Sequence, residues 1–248
     1  MKKIGFKESR LSLNNYFLWR KERAIPAVEK VNEILSLKNR QILEIGCGYG
    51  ALCEVLNEFG AKVNAVEIDK EKVKFAINRF EKNKNIQIKL VKDEKLPYKN
   101  NSFDCVFLFD VIEHISNPNK TINECFRVLK NKGILYAEFT PYYSVTGHHL
   151  YDFAKWPIHI FPKSFIKNFV YSKKIRGFLT HEYFWDLFES LNKLKISQFQ
   201  KMVYKFKCLD ERYIIKYPEL LEFNIPFLRY LGPFKDYATM SFEGIYQK

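Results

Sequence analysis

The sequence predicts an α/β protein with a doubly wound, mostly parallel sheet whose final strand runs antiparallel. Two observations predict it. Through the first 140 residues, short strands rich in Val, Ile, Leu or Phe alternate with helical stripes, and such alternation requires parallel crossovers. A glycine-rich turn, Gly46-Cys47-Gly48-Tyr49-Gly50, falls directly between a strand and a helix, where a doubly wound sheet binds its ligands.

The elements follow in order. A helix spans about 15–35. Strands are predicted at 41–45, 62–67, 86–91, 104–109 and 133–139, each a compact apolar run. Helices lie between them at 51–59, 71–81 and 119–129. Val73, Ile77 and Phe80 form one apolar stripe at helical spacing; Ile122, Cys125, Phe126 and Leu129 form another. After Phe139 the rhythm stops. Residues 140–179 are aromatic, contain Pro141, Pro157 and Pro162, and have no clean period. A helix is predicted over 181–194, with Phe184, Leu187, Phe188 and Leu191 on one face. Strands are predicted at 195–206 and 237–247, with a helical insertion at 209–232 between them.

Composition excludes several classes. The chain has 248 residues, 47% apolar and 28% charged, which suits one folded domain and not a disordered one. The longest stretch without a charged residue, 139–151, is far too short to span a bilayer. The N-terminus lacks the apolar run of a secretory signal. Five cysteines, odd in number and never spaced as CxxC, fit a reducing cytoplasm better than a disulfide framework or zinc ribbon. The net charge of +13 divides as +7 over 1–140 and +6 over the rest, with no basic tail or arginine-rich run. Nucleic acid is therefore not the expected partner.

The glycine turn carries the first chemical signal. Glycines there let a ligand approach the backbone, and the helix start offers free N–H groups. By itself the turn stays ambiguous: Gly46, Gly48 and Ala51, with Glu67 downstream, also satisfy a dinucleotide-binding fingerprint, and a plain structural turn is a third reading. Other blocks follow in order: Glu44 before the first glycine, Val66-Glu67-Ile68-Asp69, Leu96-Pro97 through Phe103-Asp104, Phe109-Asp110-Val-Ile-Glu113-His114, and Arg127 through Gly133. Together, over about residues 40–140, they resemble the type 11 group of class I S-adenosylmethionine-dependent methyltransferases.

The resemblance implies a cofactor, S-adenosylmethionine, with S-adenosylhomocysteine as product. It places Glu44, Gly46, Cys47, Gly48 and Gly50 around the methionine moiety. Glu67 would take both ribose hydroxyls in a fork, and Ile68 would pack on the adenine. Phe109, Asp110 and His114 would line the methionine and substrate side. The family carries an Asp four residues before the Leu of Leu96-Pro97, where this chain has Lys92; Asp93, one residue out of register, is the expected substitute.

The acceptor side admits two readings. Asp110, Glu113 and His114, joined by His148 or His149, could hold a divalent metal, as similar motifs do in small-RNA end and ubiquinone-pathway methyltransferases. The ordinary reading of Glu-His in the type 11 group needs no metal, so no metal ligand is assigned. His149 and His148 are the candidate general bases, since imidazole titrates near neutrality and the loop follows strand five.

One domain is expected: a helical lid over 1–40 bearing Tyr16, Trp19 and Arg20, a cofactor core at 41–140, and cap insertions at 141–180 and 209–233. The cap carries six basic residues and no acid from 153 to 181, and five lysines and no acid from 190 to 209, interleaved with aromatics. That suggests a small polar substrate, such as a sugar or phosphate-bearing, nucleotide-linked precursor of a surface glycan, methylated on oxygen. The alternatives are an RNA methyltransferase and a cofactor-binding partner without catalysis. A cytoplasmic monomer or homodimer without membrane partners is expected.

Overall fold

The apolar runs of the first half become strands because helices cover both faces of the sheet they form. A computed structural model describes residues 4–217 and 221–248; the first three residues of the expected lid and residues 218–220 of the expected second cap segment lie outside them. Helices α1 (Phe6–Ser9) and α2 (Leu13–Ile34) precede β1 (Gln41–Ile45), α3 (Ala51–Glu58), β2 (Lys62–Glu67), α4 (Lys70–Phe80), β3 (Ile86–Leu90), β4 (Phe103–Phe109), α5 (Pro118–Val128) and β5 (Leu129–Phe139). Side chains fix the helix starts: Ser12 accepts from the Asn15 N–H, Asp69 from Glu71 and Lys72, and Asn117 from Lys120.

The second half adds α6 (Lys163–Tyr171), α7 (His181–Glu189), α8 (Ile196–Met202), β6 (Lys207–Tyr217), β7 (Leu221–Asn224), α9 (Lys235–Ala238) and β8 (Ser241–Gln247). The eight strands lie in the order β3-β2-β1-β4-β5-β8-β6-β7. β1 to β5 are mutually parallel, and β8 runs antiparallel to β5, as expected of the final strand. β4 is buried along its whole length, which explains its unbroken apolar run.

Helices α2 and α3 pack one face of the sheet through Val28, Leu52 and Leu56 against Ile42, Val63 and Phe107. Helices α5 and α8 pack the other, with Ile122, Cys125 and Phe199 against Leu43, Val106 and Leu135. Residues 150–191 build a separate third cluster around Leu150, Ile158, Val170, Phe184 and Phe188.

Three expectations for the second half are corrected. The strand predicted at 195–206 is the helix α8. Its apolar residues Ile196, Phe199 and Val203 recur at helical spacing, and the Gln198 side chain caps its start by accepting from the Lys195 N–H at 3.0 Å. The helical insertion predicted at 209–232 is largely sheet. β6 pairs with β8, and β7 closes a hairpin on β6. A register shift between Cys208 and Asp210 breaks the alternation by which a strand is recognised. The helix predicted over 181–194 ends at Glu189.

Strand order reverses direction of growth at β1, which has β2 on one side and β4 on the other. The carboxyl ends of β1 and β4 therefore form the crevice in which open α/β sheets bind ligands.

Candidate functional site

The glycine turn leaves β1 at this crevice. Gly46 has φ +74°, and a β-carbon there would stand 2.3 Å from Val111 Cγ2. Gly50, with φ +86°, begins α3, and a β-carbon there would meet the Phe80 ring at 2.6 Å. Only glycine fits either position. Nothing stands within 4 Å of a β-carbon built on Gly48, so the surface above the turn is open to a ligand. Cys47 turns inward among core residues, leaving only its backbone to face the crevice.

Glu67 ends β2 against this turn. One carboxylate oxygen accepts from the Gly48 N–H at 2.7 Å; the other accepts from Ile68 at 2.8 Å and Asp69 at 3.1 Å. Ile68 beside it is 71% exposed, a large apolar side chain with no cover on the crevice side. Glu44 is buried behind the turn and accepts the Cys53 thiol at 2.9 Å; burial pushes its carboxyl up to about 8. Asp93 is exposed and accepts from the Lys95 N–H at 2.7 Å, in a turn of its own.

Helix α2 lies across the crevice. Its Tyr16 ring meets Tyr49 of the glycine turn edge-on, with centroids 6.1 Å apart. Arg20 stacks over the Phe109 ring at 4.9 Å and pairs with Asp110; Arg23 joins Asp110 at 2.7 Å and Glu138 at 3.3 Å. Asp110 has φ +53°, a conformation uncommon for a residue with a side chain, and the two arginines hold it there. Arg23 and Glu138 carry no local motif; the sequence offered only the lid segment through Arg20.

After β4 the chain forms a single tight turn, Ile112–His114. Asn192, absent from any sequence expectation, holds it by donating to the carbonyls of Ile112 and Ile115, both at 2.8 Å. Glu113, His114 and His149 converge there, each offering a ligand atom within 4.8 Å of the others. His149 Nε2 lies 3.7 Å from a Glu113 oxygen, and the His114 and His149 rings stand 4.9 Å apart. The second Glu113 oxygen and His149 Nε2 are buried without a hydrogen-bond partner among the described residues.

Burial, reinforced by Asp110, holds the Glu113 carboxyl well above its ordinary range. Burial lowers His114 to about 4, and burial together with His114 lowers His149 to about 3. Both imidazoles are thus neutral at physiological pH, the form that ligates metals. Ser190 donates to the Leu187 carbonyl at 2.8 Å, so toward His114 Nδ1, 2.7 Å away, it acts as acceptor. That fixes the proton on Nδ1 and leaves the Nε2 lone pair available.

The predicted site residues therefore divide. Glu113, His114 and His149 come together. Asp110 is engaged by arginines instead of completing that set. His148 is fully buried, accepts from the Leu150 N–H at 2.9 Å through Nδ1 and lies with its ring 5.7 Å from that of His159, within the loop's own packing.

Residues 43–137 match the model of a methyltransferase domain, that of the type 11 group. A ubiquinone biosynthesis O-methyltransferase of Bartonella tribocorum is 27% identical over 151 residues, covering 59% of this chain and 61% of that protein. One from Xanthomonas oryzae pv. oryzae is 32% identical over 111 residues, covering 44% and 46%. The matches thus span about half of these relatives. Among solved structures, an S-adenosylmethionine-dependent methyltransferase of Mesorhizobium loti aligns over 94% of this chain and 98% of its own, with TM-score 0.59 and 11% identity. One from Aquifex aeolicus aligns over 92% of each, with TM-score 0.54 and 15% identity. These likenesses establish the Rossmann-like methyltransferase fold.

Proposed function

Because the chain carries a class I methyltransferase domain of the type 11 group over residues 43–137, we propose that it transfers a methyl group from S-adenosylmethionine to a hydroxyl of a small-molecule substrate. The observation that carries this is the Glu67 carboxylate seated on the Gly48 N–H, with Ile68 exposed beside it. A fixed carboxylate for the ribose hydroxyls and an uncovered apolar side chain for the adenine fit that cofactor.

The cofactor supplies a methyl carbon already activated on sulfonium, so the protein's work is alignment and exclusion of water. Gly46, Gly48 and Gly50 let the backbone approach the methionine moiety, and Phe109 walls its far side. Helix α2 acts as the lid through Tyr16, Arg20 and Arg23. Residues 141–180 act as the cap, tied to the lid by the Arg10–Asp152 pair at 3.0 Å.

Glu113, His114 and His149 form the acceptor side. The imidazole lone pairs of His114 and His149 and the unpartnered Glu113 oxygen would hold a divalent cation, which when bound would displace the Glu113 proton and supply Lewis acidity that lets a substrate hydroxyl lose its proton to solvent. Burial keeps the His149 ring neutral for that contact, and Ser190 keeps His114 in the tautomer with a free Nε2. Oxygen as the acceptor is supported by the relatives, which are named O-methyltransferases of ubiquinone biosynthesis. The glycan precursor expected from the cap's composition has no counterpart among those names, so the proposal is limited to a hydroxyl acceptor. Five cysteines outside any disulfide fit the cytoplasmic location.

The test is transfer of a labelled methyl group to a panel of hydroxyl-bearing acceptors, phenols and sugars included, with and without chelator. Transfer to amines alone, or to RNA alone, would overturn the reading.

A further inference from the structure

The acid-free segment of the cap was left without a partner by the chemistry of the crevice, and its surface is unusual. Pro157 and Pro162 bracket a turn that projects Ile160, 70% exposed, away from the third core cluster. Beside it, Trp156, Phe161, Phe165 and Phe169 form one continuous ring cluster. Centroids lie 5.5 Å apart for Trp156–Phe161, 5.1 Å for Phe161–Phe165 and 6.0 Å for Trp156–Phe169. Trp156, Phe161 and Phe165 are each about two-fifths exposed. Apolar side chains contiguous on a surface, not scattered singly, mark an interaction site.

Lysines surround the cluster. Lys155, Lys163, Lys167, Lys173 and Lys174 are all exposed. Among the described residues only Lys163 of these five has an acidic partner, Glu189 of α7, at 3.0 Å on the surface. Three of the others lie over rings: Lys173 sits 4.6 Å from the Phe169 centroid, Lys167 5.3 Å from Trp185 and Lys155 5.7 Å from Tyr151. The patch is thus apolar at its tip and mainly cationic around its rim, with the α7 acids Glu182 and Asp186 near Tyr171 and Glu189 on Lys163 at its edge.

We propose that this face of the cap, from Trp156 to Lys174, docks on an anionic lipid surface. Three physical arguments select that occupant. Aromatic and aliphatic tips enter the headgroup boundary while flanking lysines meet anionic headgroups, and each lysine near such a surface strengthens binding several-fold. A second copy of the same face would bring two like-charged rims together. A polyphosphate chain would be served by the lysines but would leave Ile160 and the ring cluster without use. The proposal goes beyond the sequence-based expectation of no membrane partner. It concerns peripheral contact: no described helix is long and apolar enough to cross a membrane.

Docking does not depend on the assignment of the crevice.

The test uses the full chain, without cofactor, and extruded vesicles of phosphatidylcholine with or without 30% phosphatidylglycerol (about a third anionic lipid, enough to engage a basic rim). Co-sedimentation with the anionic vesicles is expected, together with a blue shift of fluorescence that Trp156→Phe removes. High salt should weaken binding without abolishing it, since the apolar tip remains. The exposed substitutions Ile160→Glu and Phe165→Glu should each lower vesicle affinity at least tenfold. Their thermal midpoints and S-adenosylhomocysteine affinities should stay at parent values, which separates this proposal from the cofactor assignment. Equal binding of parent and both variants would overturn it, as would absence of binding to anionic vesicles. Light scattering that finds a dimer dissolved by Ile160→Glu, or RNA binding lost in that variant while vesicles are ignored, would assign the face to another occupant and overturn it too.

Discussion

Replacing Gly46 with alanine tests how the glycine turn and the acceptor side are joined. The added β-carbon would stand 2.3 Å from Val111 Cγ2 and 3.0 Å from Val111 Cβ, and Val111 lies between Asp110 and Glu113. The left-handed backbone, at φ +74°, costs an alanine about 1–2 kcal/mol. The overlap costs a further ~1–3 kcal/mol, because turn and loop are each held by hydrogen bonds. Together these should lower the thermal midpoint by about 5–15 °C for a chain of this size. S-adenosylhomocysteine affinity should fall at least tenfold as the turn shifts. Adding Val111→Ala removes the offending methyl and should recover the overlap part alone. A double-mutant cycle in calorimetric unfolding should therefore give a coupling of about 1 kcal/mol or more. Additivity within about 0.5 kcal/mol would refute the claim that these two segments press on one another.

Three further outcomes follow from the site. Glu44 has a folded pKa of about 8 against 4.5 in the unfolded chain, so its contribution to stability is complete below 4.5 and is lost as pH rises through 8. Glu44→Gln should hence gain stability over the parent between pH 5 and pH 9, by up to about 5 kcal/mol; a pH-independent difference in melting would contradict the buried acid. His149→Ala should lower Mn²⁺ affinity at least tenfold by calorimetry, and chelator should stop methyl transfer by the parent; full activity after chelation would remove the cation from the account. Ser190→Ala should weaken the same cation site by about 10–100-fold by releasing the His114 tautomer, and unchanged cation binding would deny Ser190 that role.

The first half of this molecule was legible because its inner strands β1, β4 and β5 are largely buried and each helix carries its own stripe, so burial and periodicity agree. Every strand from β1 to β5 lies where its apolar run is. The second half was not, because pairing decides it. β6 carries Asp210, Glu211 and Arg212 in succession, a pattern that suits a helix surface. In the sheet, Glu211 instead accepts the Tyr246 hydroxyl at 2.7 Å and the Tyr213 hydroxyl at 3.1 Å. At the site, motif spacing located the glycine turn, Glu67 and the Glu113-His114 pair. It could not foresee that Asp110 answers to Arg20 and Arg23, ninety and eighty-seven residues away in the chain. Nor could it place Ser190 and Asn192, whose value lies in backbone and imidazole partners brought close only by the fold.

The account stands most directly on Glu67, and one calorimetric titration reaches it: S-adenosylhomocysteine into the parent and into Glu67→Gln, side by side. The variant keeps the shape of the side chain but loses the charge and one of the two acceptor oxygens. Affinity is the quantity to read, because the same carboxylate also accepts from Gly48, Ile68 and Asp69, so the melting temperature will fall in either case. The account predicts a single binding site in the parent and a loss of about 2–4 kcal/mol in the variant, roughly 30- to 1000-fold. No binding to the parent, or equal affinity in the two proteins, would contradict it.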